Sequence, residues 1–213
     1  MGTVKSLLLG MCFVLGACTS QTSTVQTTEK GTQWEWQNGT IVVKTPERPA
    51  GQKSVLGLTT PKLEAVRVGF VGLGMRGPGA VERFTYIPGT QVVALCDYEE
   101  ARADKCQELL KKASMPKAAV YSGDKGYEEL CKRDDIDLVY IAADWLHHFP
   151  VAKCALENGK NVAIEVPSAM NLQECWDLIN LSESTRKHCF ILENCCYCLL
   201  YTSPSPRDRQ KSR

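Results

Sequence analysis

A glycine-rich segment, Gly72-Leu73-Gly74-Met75-Arg76-Gly77, contains the residues whose spacing is most informative about chemistry. It follows an apolar run at residues 66–71 and leads into a stretch that is compatible with a helix. The first glycine permits a tight bend, the second lets the backbone approach a pyrophosphate, and the third lets helix and strand pack closely. Pyrophosphate oxygens would accept hydrogen bonds from the exposed N–H groups of the helix. The segment therefore predicts a dinucleotide-binding turn.

Asp97 is the acidic residue that such a turn requires. It ends the apolar run at residues 91–96 and lies about 20 residues after Gly77. An acid at this distance binds the ribose diol of the cofactor and repels a 2′-phosphate, so the spacing favours NAD over NADP. The alternative is a glycine-rich turn beside a surface aspartate, with no ligand.

Three further polar clusters follow runs that we predict to be strands. They are Asp144-Trp145-Leu146-His147-His148, Glu165-Val166-Pro167 and Glu193-Asn194. In a parallel sheet the carboxyl ends of the strands meet at one edge, where ligands bind, so we expect the clusters to converge there. For each cluster a structural alternative stays open: the histidines would cap a helix or face solvent, and Glu165 would pair with a lysine.

The elements that must position these residues alternate along the chain. The apolar patterns predict strands at 66–71, 91–97, 118–121, 136–143, 161–165 and 189–193. Helices are predicted at 78–86, 99–113, 127–133, 149–157 and 171–183. Alternation of this kind is typical of an α/β fold, and here it predicts a Rossmann doubly wound parallel sheet of about six strands in a domain at 66–197.

The N-terminus is predicted to be a lipoprotein signal peptide at residues 1–17. Its apolar stretch is too short for a permanent membrane span, and Leu15-Gly16-Ala17-Cys18 resembles a bacterial lipobox. Cys18 would then be lipidated, and Thr19 after it favours an outer-membrane anchor over inner-membrane retention. The alternative is a plain secretory signal. A flexible Thr/Ser/Gln-rich tether at 18–32 and a lead-in at 33–65 would follow, with no chemistry assigned to them.

The C-terminal residues 198–213 differ in character from the rest of the chain. Reverse translation of the start of this segment resembles a transposon-derived adapter used in sequencing libraries. We therefore predict a non-native tail, and the alternative is a disordered basic tail that contains proline. Neither interpretation gives the tail a function.

Composition limits the classes of function. The chain is 44% hydrophobic and 23% charged with a formal net charge of +1, so we expect no nucleic-acid partner. Of the 11 cysteines, Cys12 and Cys18 fall in the predicted signal and Cys198 in the predicted tail. The other cysteines show no CxxC spacing, which favours buried free thiols and predicts no metal site.

From Val66 to about Tyr197 the chain resembles the Gfo/Idh/MocA oxidoreductase family. His148 aligns with the histidine that most members carry in the loop after their fourth strand. Most members also have Glu-Lys-Pro after the fifth strand, whereas this chain has Glu165-Val166-Pro167. In the family's dehydrogenases the lysine lies beside the nicotinamide and helps to move the substrate proton. Its replacement by Val166 argues against an ordinary sugar dehydrogenase.

The valine, the glycine-rich segment and the stretch His188–Tyr197 are together similar to glycoside hydrolase family 109, whose members are NAD-dependent α-N-acetylgalactosaminidases. The resemblance implies oxidation of the sugar at C3, elimination of the aglycone, addition of water and reduction, with NAD regenerated. It also implies the cofactor contacts: Met75 and Arg76 at the pyrophosphate, Asp97 at the adenosine ribose, and Trp145, Leu146, His147, His148, Glu165, Val166 and Asn194 at the nicotinamide half.

The same resemblance places the substrate-binding residues in a C-terminal α/β domain after Tyr197, so no catalytic residue can be assigned and this chain alone should be inactive. The implied partner is a glycoside with terminal N-acetylgalactosamine, and a homo-oligomer stays open. Membrane contact is expected only through the lipid anchor, on the periplasmic or cell-surface side. Two alternatives remain: a sugar dehydrogenase of the same family, and a non-catalytic, lipid-anchored NAD-binding module.

Overall fold

The computed structural model of the chain describes residues 26–27 and 33–193. The predicted signal peptide with Cys18, most of the predicted tether, Asn194 and the predicted tail lie outside the described residues. The chain divides into two compact units, with the boundary between Lys44 and Thr45.

The first unit contains a small antiparallel sheet in the order β1-β2-β3, formed by β1 (Gln26–Thr27), β2 (Gln33–Gln37) and β3 (Thr40–Val43). Strands β2 and β3 form a hairpin through Asn38 and Gly39, which both have positive φ. Asn-Gly is the pair that a two-residue hairpin turn favours, because both central residues must adopt positive φ. The prediction of a lead-in at 33–65 did not include this hairpin, although the sequence carries its usual signal.

The second unit contains a six-stranded parallel sheet with five helices. Its strands are β4 (Val66–Val71), β5 (Thr90–Asp97), β6 (Ala119–Ser122), β7 (Leu138–Ile141), β8 (Asn161–Ile164) and β9 (Cys189–Ile191). Its helices are α1 (Gly77–Thr85), α2 (Ala101–Lys112), α3 (Gly126–Cys131), α4 (Trp145–Glu157) and α5 (Leu172–Thr185).

The strand order, β6-β5-β4-β7-β8-β9, confirms the predicted doubly wound Rossmann fold. The chain moves outward from β4 to β6 and then crosses back to β7, so the order reverses between β4 and β7. At such a switch point the loops diverge and leave a crevice outside the carboxyl ends of the strands, where dinucleotides bind.

Side chains on the two faces of the sheet form two separate apolar cores. On one face Val139 and Ile141 pack with residues of α3, α4 and α5, and on the other Phe70 and Tyr140 pack with residues of α1 and α2. Neighbouring residues of a strand point to opposite faces, and both faces of this sheet are covered, so the central residues of its strands are mostly apolar on both sides. Within the described residues no helix has the length and apolarity needed to cross a membrane.

Helix α4 begins at Trp145, four residues before the predicted start at 149. Asp144 is its N-cap, and the carboxylate accepts a hydrogen bond from the Leu146 N–H at 3.0 Å. The cap satisfies a helix N–H that has no partner inside the helix, and it allows the polar segment before Phe149 to enter the first turn. The cluster at 144–148 is therefore a helix N-terminus rather than a loop.

The segment after Lys44 is fixed to α5 by a buried carboxylate. Glu183, whose side chain is 2% exposed, accepts hydrogen bonds from Arg48 at 2.9 and 3.1 Å and from Gln52 at 2.8 Å. Arg186 donates to the carbonyl oxygens of Lys53 and Ser54. The hydrogen bonds from Arg48, first, and from Gln52 hold the pKa of Glu183 below its usual range. This segment therefore belongs to the same compact unit as the parallel sheet.

Candidate cofactor site

A cleft of about 640 Å³ opens at the carboxyl ends of the parallel strands. Its walls come from the loops after β4, β5, β6, β7 and β8. Ten of the residues predicted for the site line it: Gly72, Gly74, Met75, Arg76, Asp97, Trp145, His147, His148, Glu165 and Val166. Gly77 and Leu146 are not among the lining residues, and Asn194 lies outside the described part of the chain. The structure thus brings the glycine-rich segment, Asp97 and two of the three polar clusters together.

The glycine-rich segment forms a turn that tolerates no side chain at two positions. Gly72 has φ of +91°, and a Cβ there would lie 2.4 Å from the backbone of Ala142 and Ala143. A Cβ on Gly77 would lie 2.1 Å from the Gly72 carbonyl oxygen. Gly77 therefore acts by allowing α1 to approach the turn closely, which is the role that the third glycine of the motif plays.

The turn delivers the N-terminus of α1 to the cleft. Arg76 is the N-cap and makes no side-chain capping hydrogen bond, and Pro78 lies in the first turn of the helix. Met75 is 94% exposed at the mouth of the cleft. The first N–H groups of a helix have no partners within it and carry partial positive charge, so this end of α1 suits a pyrophosphate, with the Arg76 guanidinium beside it.

Asp97 is buried beneath the turn, and the structure gives it a role that spacing did not predict. Its Oδ2 accepts a hydrogen bond from the Leu73 N–H at 2.6 Å, which fixes the glycine-rich turn to the end of β5. Its Oδ1 accepts from the Glu99 N–H at 3.0 Å and from Arg102 at 3.3 Å. Arg102 lines the cleft as well. Sequence analysis missed it because no motif distinguished this arginine from the other charged residues of α2.

Cys96 also lines the cleft, beside Asp97. Burial, together with the neighbouring Asp97 charge, raises the pKa of this thiol to about 12. The thiol therefore stays protonated near neutral pH and is a poor nucleophile. The six described cysteines are all free, and no group of three potential metal ligands occurs among the described residues.

The two histidines of the cluster at 144–148 have different surroundings. His148 is 2% exposed, and its ring nitrogens lie 2.7 Å from the Pro167 carbonyl oxygen and 2.9 Å from the Ala143 carbonyl oxygen. Carbonyl oxygens only accept, so a neutral imidazole can satisfy one of these contacts and an imidazolium both. His147 is half-exposed, with Nδ1 at 2.6 Å from Asp144 and Nε2 at 3.6 Å from Asp124. His148 thus connects two loops of the cleft, with both nitrogens engaged.

Glu165 lies at the end of β8 and is 8% exposed. Its Oε1 accepts a hydrogen bond from the Tyr140 hydroxyl at 2.9 Å, so the partner that the structure gives it is a tyrosine rather than a lysine. Val166 follows and is 38% exposed. Sequence analysis missed Tyr140. The one signal that could have indicated it was a tyrosine hydroxyl in β7, whose other side chains are aliphatic.

These residues fit a dinucleotide. The two glycines where a Cβ would strike backbone keep the turn open, and the N-terminus of α1 lies at the cleft. Two carboxylates also line the cleft, Asp97 at the end of β5 and Glu165 directly after β8. A cleft of this size, mostly apolar with a few fixed polar groups, is typical of a cofactor site. The fold and the site together define an NAD-binding Rossmann domain of the oxidoreductase type.

Comparison with known proteins agrees. Residues 66–192 match the Gfo/Idh/MocA model, described as an oxidoreductase family with an NAD-binding Rossmann fold. The chain therefore belongs to the Gfo/Idh/MocA family, and NAD is its cofactor.

Among relatives, the chain is 80% identical over 198 residues to glycosyl hydrolase family 109 protein 4 of Phocaeicola vulgatus. The alignment covers 92% of this chain and 38% of that protein, so the chain spans well under half of its relative's length. Among solved structures, it is similar to biliverdin reductase from Synechocystis with biliverdin and NADP+ (TM-score 0.52, 27% identity, covering 63% of this chain and 39% of that one). It also shares the fold of myo-inositol dehydrogenase from Lactobacillus casei with NAD(H) and myo-inositol (TM-score 0.53, 24% identity, covering 60% and 36%).

Proposed function

We propose that the chain is the NAD-binding part of a glycosidase that releases terminal α-N-acetylgalactosamine by transient oxidation of the sugar. The observation that carries the proposal is Val166 at the cleft, together with the absence of any lysine among the described lining residues. A dehydrogenase that moves a proton with the family's lysine needs an ionisable group at this position, and valine has none. High identity to a relative named for glycosyl hydrolase family 109 supports the same choice.

In this proposal, different residues of the cleft bind different parts of the cofactor. The N-terminus of α1 and Arg76 hold the pyrophosphate, Asp97 holds the adenosine ribose, and Glu165 and Val166 flank the nicotinamide half. When bound, NAD supplies reversible hydride transfer at C3 of the sugar, so that no net oxidation results. The protein's part is to orient the cofactor and keep water from the reacting face. Substrate contacts and the base belong to the remainder of a longer protein.

The test uses a chimera, in which this chain through Glu193 continues into the C-terminal part of the Phocaeicola relative. We expect release of p-nitrophenol from its α-N-acetylgalactosaminide without accumulation of NADH. The 213-residue chain alone should bind NAD and release nothing. NADH accumulation with free sugars would instead identify a sugar dehydrogenase. NAD binding with neither reaction would leave a non-catalytic module and contradict the glycosidase.

We also propose that the protein is exported and anchored through a lipid on Cys18, and that it meets its glycoside on the periplasmic or cell-surface side of the outer membrane. The lipobox-like residues before Cys18 support this proposal. Expression in a Gram-negative host with labelled palmitate should label the wild-type chain and place it in the outer-membrane fraction. Cys18→Ser should remove the label, whereas Cys12→Ser should not. An unlabelled, soluble wild-type chain would contradict the anchor.

A further inference from the structure

Tyr140 and Glu165 form a hydrogen-bonded pair that the proposed contacts with NAD do not include. Tyr140 pairs with Ala163 across the β7–β8 ladder, and Glu165 is two residues beyond Ala163. Residues at this spacing are diagonal neighbours on the same face of a sheet, within reach of a long side chain. The Tyr140 hydroxyl, on a residue that is only 5% exposed, donates to Glu165 Oε1 at 2.9 Å.

Tyr140 is held rigidly by two other aromatic rings. Phe70 stacks on it with ring centroids 5.1 Å apart, and Phe84 meets it edge-on at 5.7 Å. Burial and the Glu165 carboxylate raise the pKa of Tyr140 to about 12, against the opposing effect of Arg83. The hydroxyl therefore stays protonated near neutral pH, and it can donate a hydrogen bond from a fixed position.

This donor occupies one of the two carboxylate oxygens. Glu165 lines the cleft, and no described residue donates a hydrogen bond to its other oxygen, Oε2. Fixing Oε1 restricts rotation of the carboxylate and leaves Oε2 as the acceptor for a ligand. A carboxylate acceptor suits an N–H donor, and the carboxamide of nicotinamide is such a group.

We propose that Tyr140 is a positioning residue that holds Glu165 in the orientation in which Oε2 accepts a hydrogen bond from the nicotinamide carboxamide. The inference rests on the proposed placement of the nicotinamide half at Glu165. Tyr140 itself touches no cofactor atom, and its effect passes through the carboxylate.

The experiment compares two ligands of the 213-residue chain by isothermal titration calorimetry. ADP-ribose retains the adenosine, both phosphates and the second ribose of NAD+ but lacks nicotinamide. Tyr140→Phe keeps the ring in its aromatic cluster and removes only the hydroxyl. We expect it to weaken NAD+ binding roughly tenfold, the effect of losing one hydrogen bond to a charged group, and to leave ADP-ribose binding unchanged.

Tyr121→Phe is the matched control. Its hydroxyl, on β6, also has a side-chain partner, Arg133 at 3.1 Å, but the residue does not line the cleft. Neither ligand should bind it differently from wild type. A second variant, Glu165→Gln, leaves the aromatic cluster intact, and Tyr140→Phe should add little to the loss that it causes, because both changes act on one interaction.

The outcomes separate the inference from the proposal on which it rests. Wild-type protein that binds NAD+ no more tightly than ADP-ribose would contradict the placement of nicotinamide at Glu165, and with it the inference. If wild type prefers NAD+, the inference alone fails in three cases: Tyr140→Phe leaves NAD+ affinity unchanged, it weakens both ligands equally, or its effect adds fully to that of Glu165→Gln.

Discussion

Individual residues of the cleft act through backbone as much as through side chains. Gly72 and Gly77 bring the turn, the loop after β7 and the N-terminus of α1 within distances that a methyl group would block. Asp97 holds that turn from below through the Leu73 N–H at 2.6 Å. The shape of the cleft at the glycine-rich turn therefore depends on main-chain groups and on two residues that have no side chain.

A pair of glycines in one helix tests this reasoning. Gly77→Ala places a Cβ 2.1 Å from a carbonyl oxygen and should lower stability by roughly 1–3 kcal/mol, the range for overpacking. Gly79→Ala meets only the flexible end of Arg83 at 3.5 Å, and should raise stability by about 0.5–1 kcal/mol through helix propensity. Urea unfolding of both variants measures the difference. Equal effects of the two substitutions would show that the close approach at Gly77 does not matter.

At the scale of elements, polar contacts join the ends of strands and helices at both edges of the parallel sheet. Asp144, which lines the cleft, caps α4 and holds His147. Arg67 and Asp137 join the start of β4 to the segment before β7, at the edge opposite the cleft.

Two substitutions at Asp144 test whether its side-chain oxygen caps α4. Asp144→Ala deletes the acceptor for the Leu146 N–H and should cost about 1 kcal/mol of stability. Asp144→Asn retains a capping oxygen and should cost far less, because asparagine is an equally good N-cap. Chemical denaturation gives both values. The capping role would be refuted by a loss as large in the asparagine variant as in the alanine variant.

The Arg67–Asp137 pair predicts a dependence of stability on pH. Two hydrogen bonds from the guanidinium, at 2.7 and 2.9 Å, hold the pKa of the Asp137 carboxyl below its usual range. A carboxyl whose pKa is lower in the folded state stabilises the fold above its unfolded pKa, and this contribution is lost as pH falls through the folded value. Because the Arg67 side chain is 38% exposed and solvent screens the pair, we expect its contribution to the free energy of unfolding to be small.

Asp137→Asn should therefore reduce the loss of stability between roughly pH 5 and pH 2, measured by urea unfolding across that range. Asp134→Asn, at an exposed position in the turn after α3, is the control and should leave the slope nearly as it is in wild type. An unchanged slope in Asp137→Asn would mean that the pair contributes nothing to acid stability.

At the scale of the whole molecule, the described residues of the second unit form a domain that contains the whole cofactor cleft. Both faces of the parallel sheet carry a core, and the cleft at its edge holds the groups that a dinucleotide needs. The chain nevertheless spans only 38% of the length of its 80% identical relative.

The predicted non-native tail can be tested on the whole chain. Removing residues 198–213 should leave the melting temperature and the affinity for NAD+ within error of the full chain, because the adapter-like sequence of this segment is predicted to have no function. Differential scanning calorimetry and calorimetric titration measure the two quantities. A clear fall in either would assign the tail a role in the fold or the site.

The sequence by itself determined the Rossmann fold, the dinucleotide turn and the residues at the strand ends. These features depend on local rules: the period of apolar residues, the backbone conformations that only glycine tolerates, and the rule that ligands bind at the carboxyl edge of a parallel sheet. The start of α4 at Trp145 was missed because Asp144 was interpreted as part of a polar loop and not as the N-cap of the helix.

Only the tertiary structure decided which side chains meet. Tyr140 reaches Glu165 across 25 residues of sequence, and Arg48 reaches Glu183 across 135. The tertiary structure also brings Arg102 to Asp97. It places each ring nitrogen of His148 within hydrogen-bond distance of a backbone carbonyl oxygen. Such contacts depend on the register between strands and on the packing of helices against the sheet, and no local pattern of residues encodes either of these.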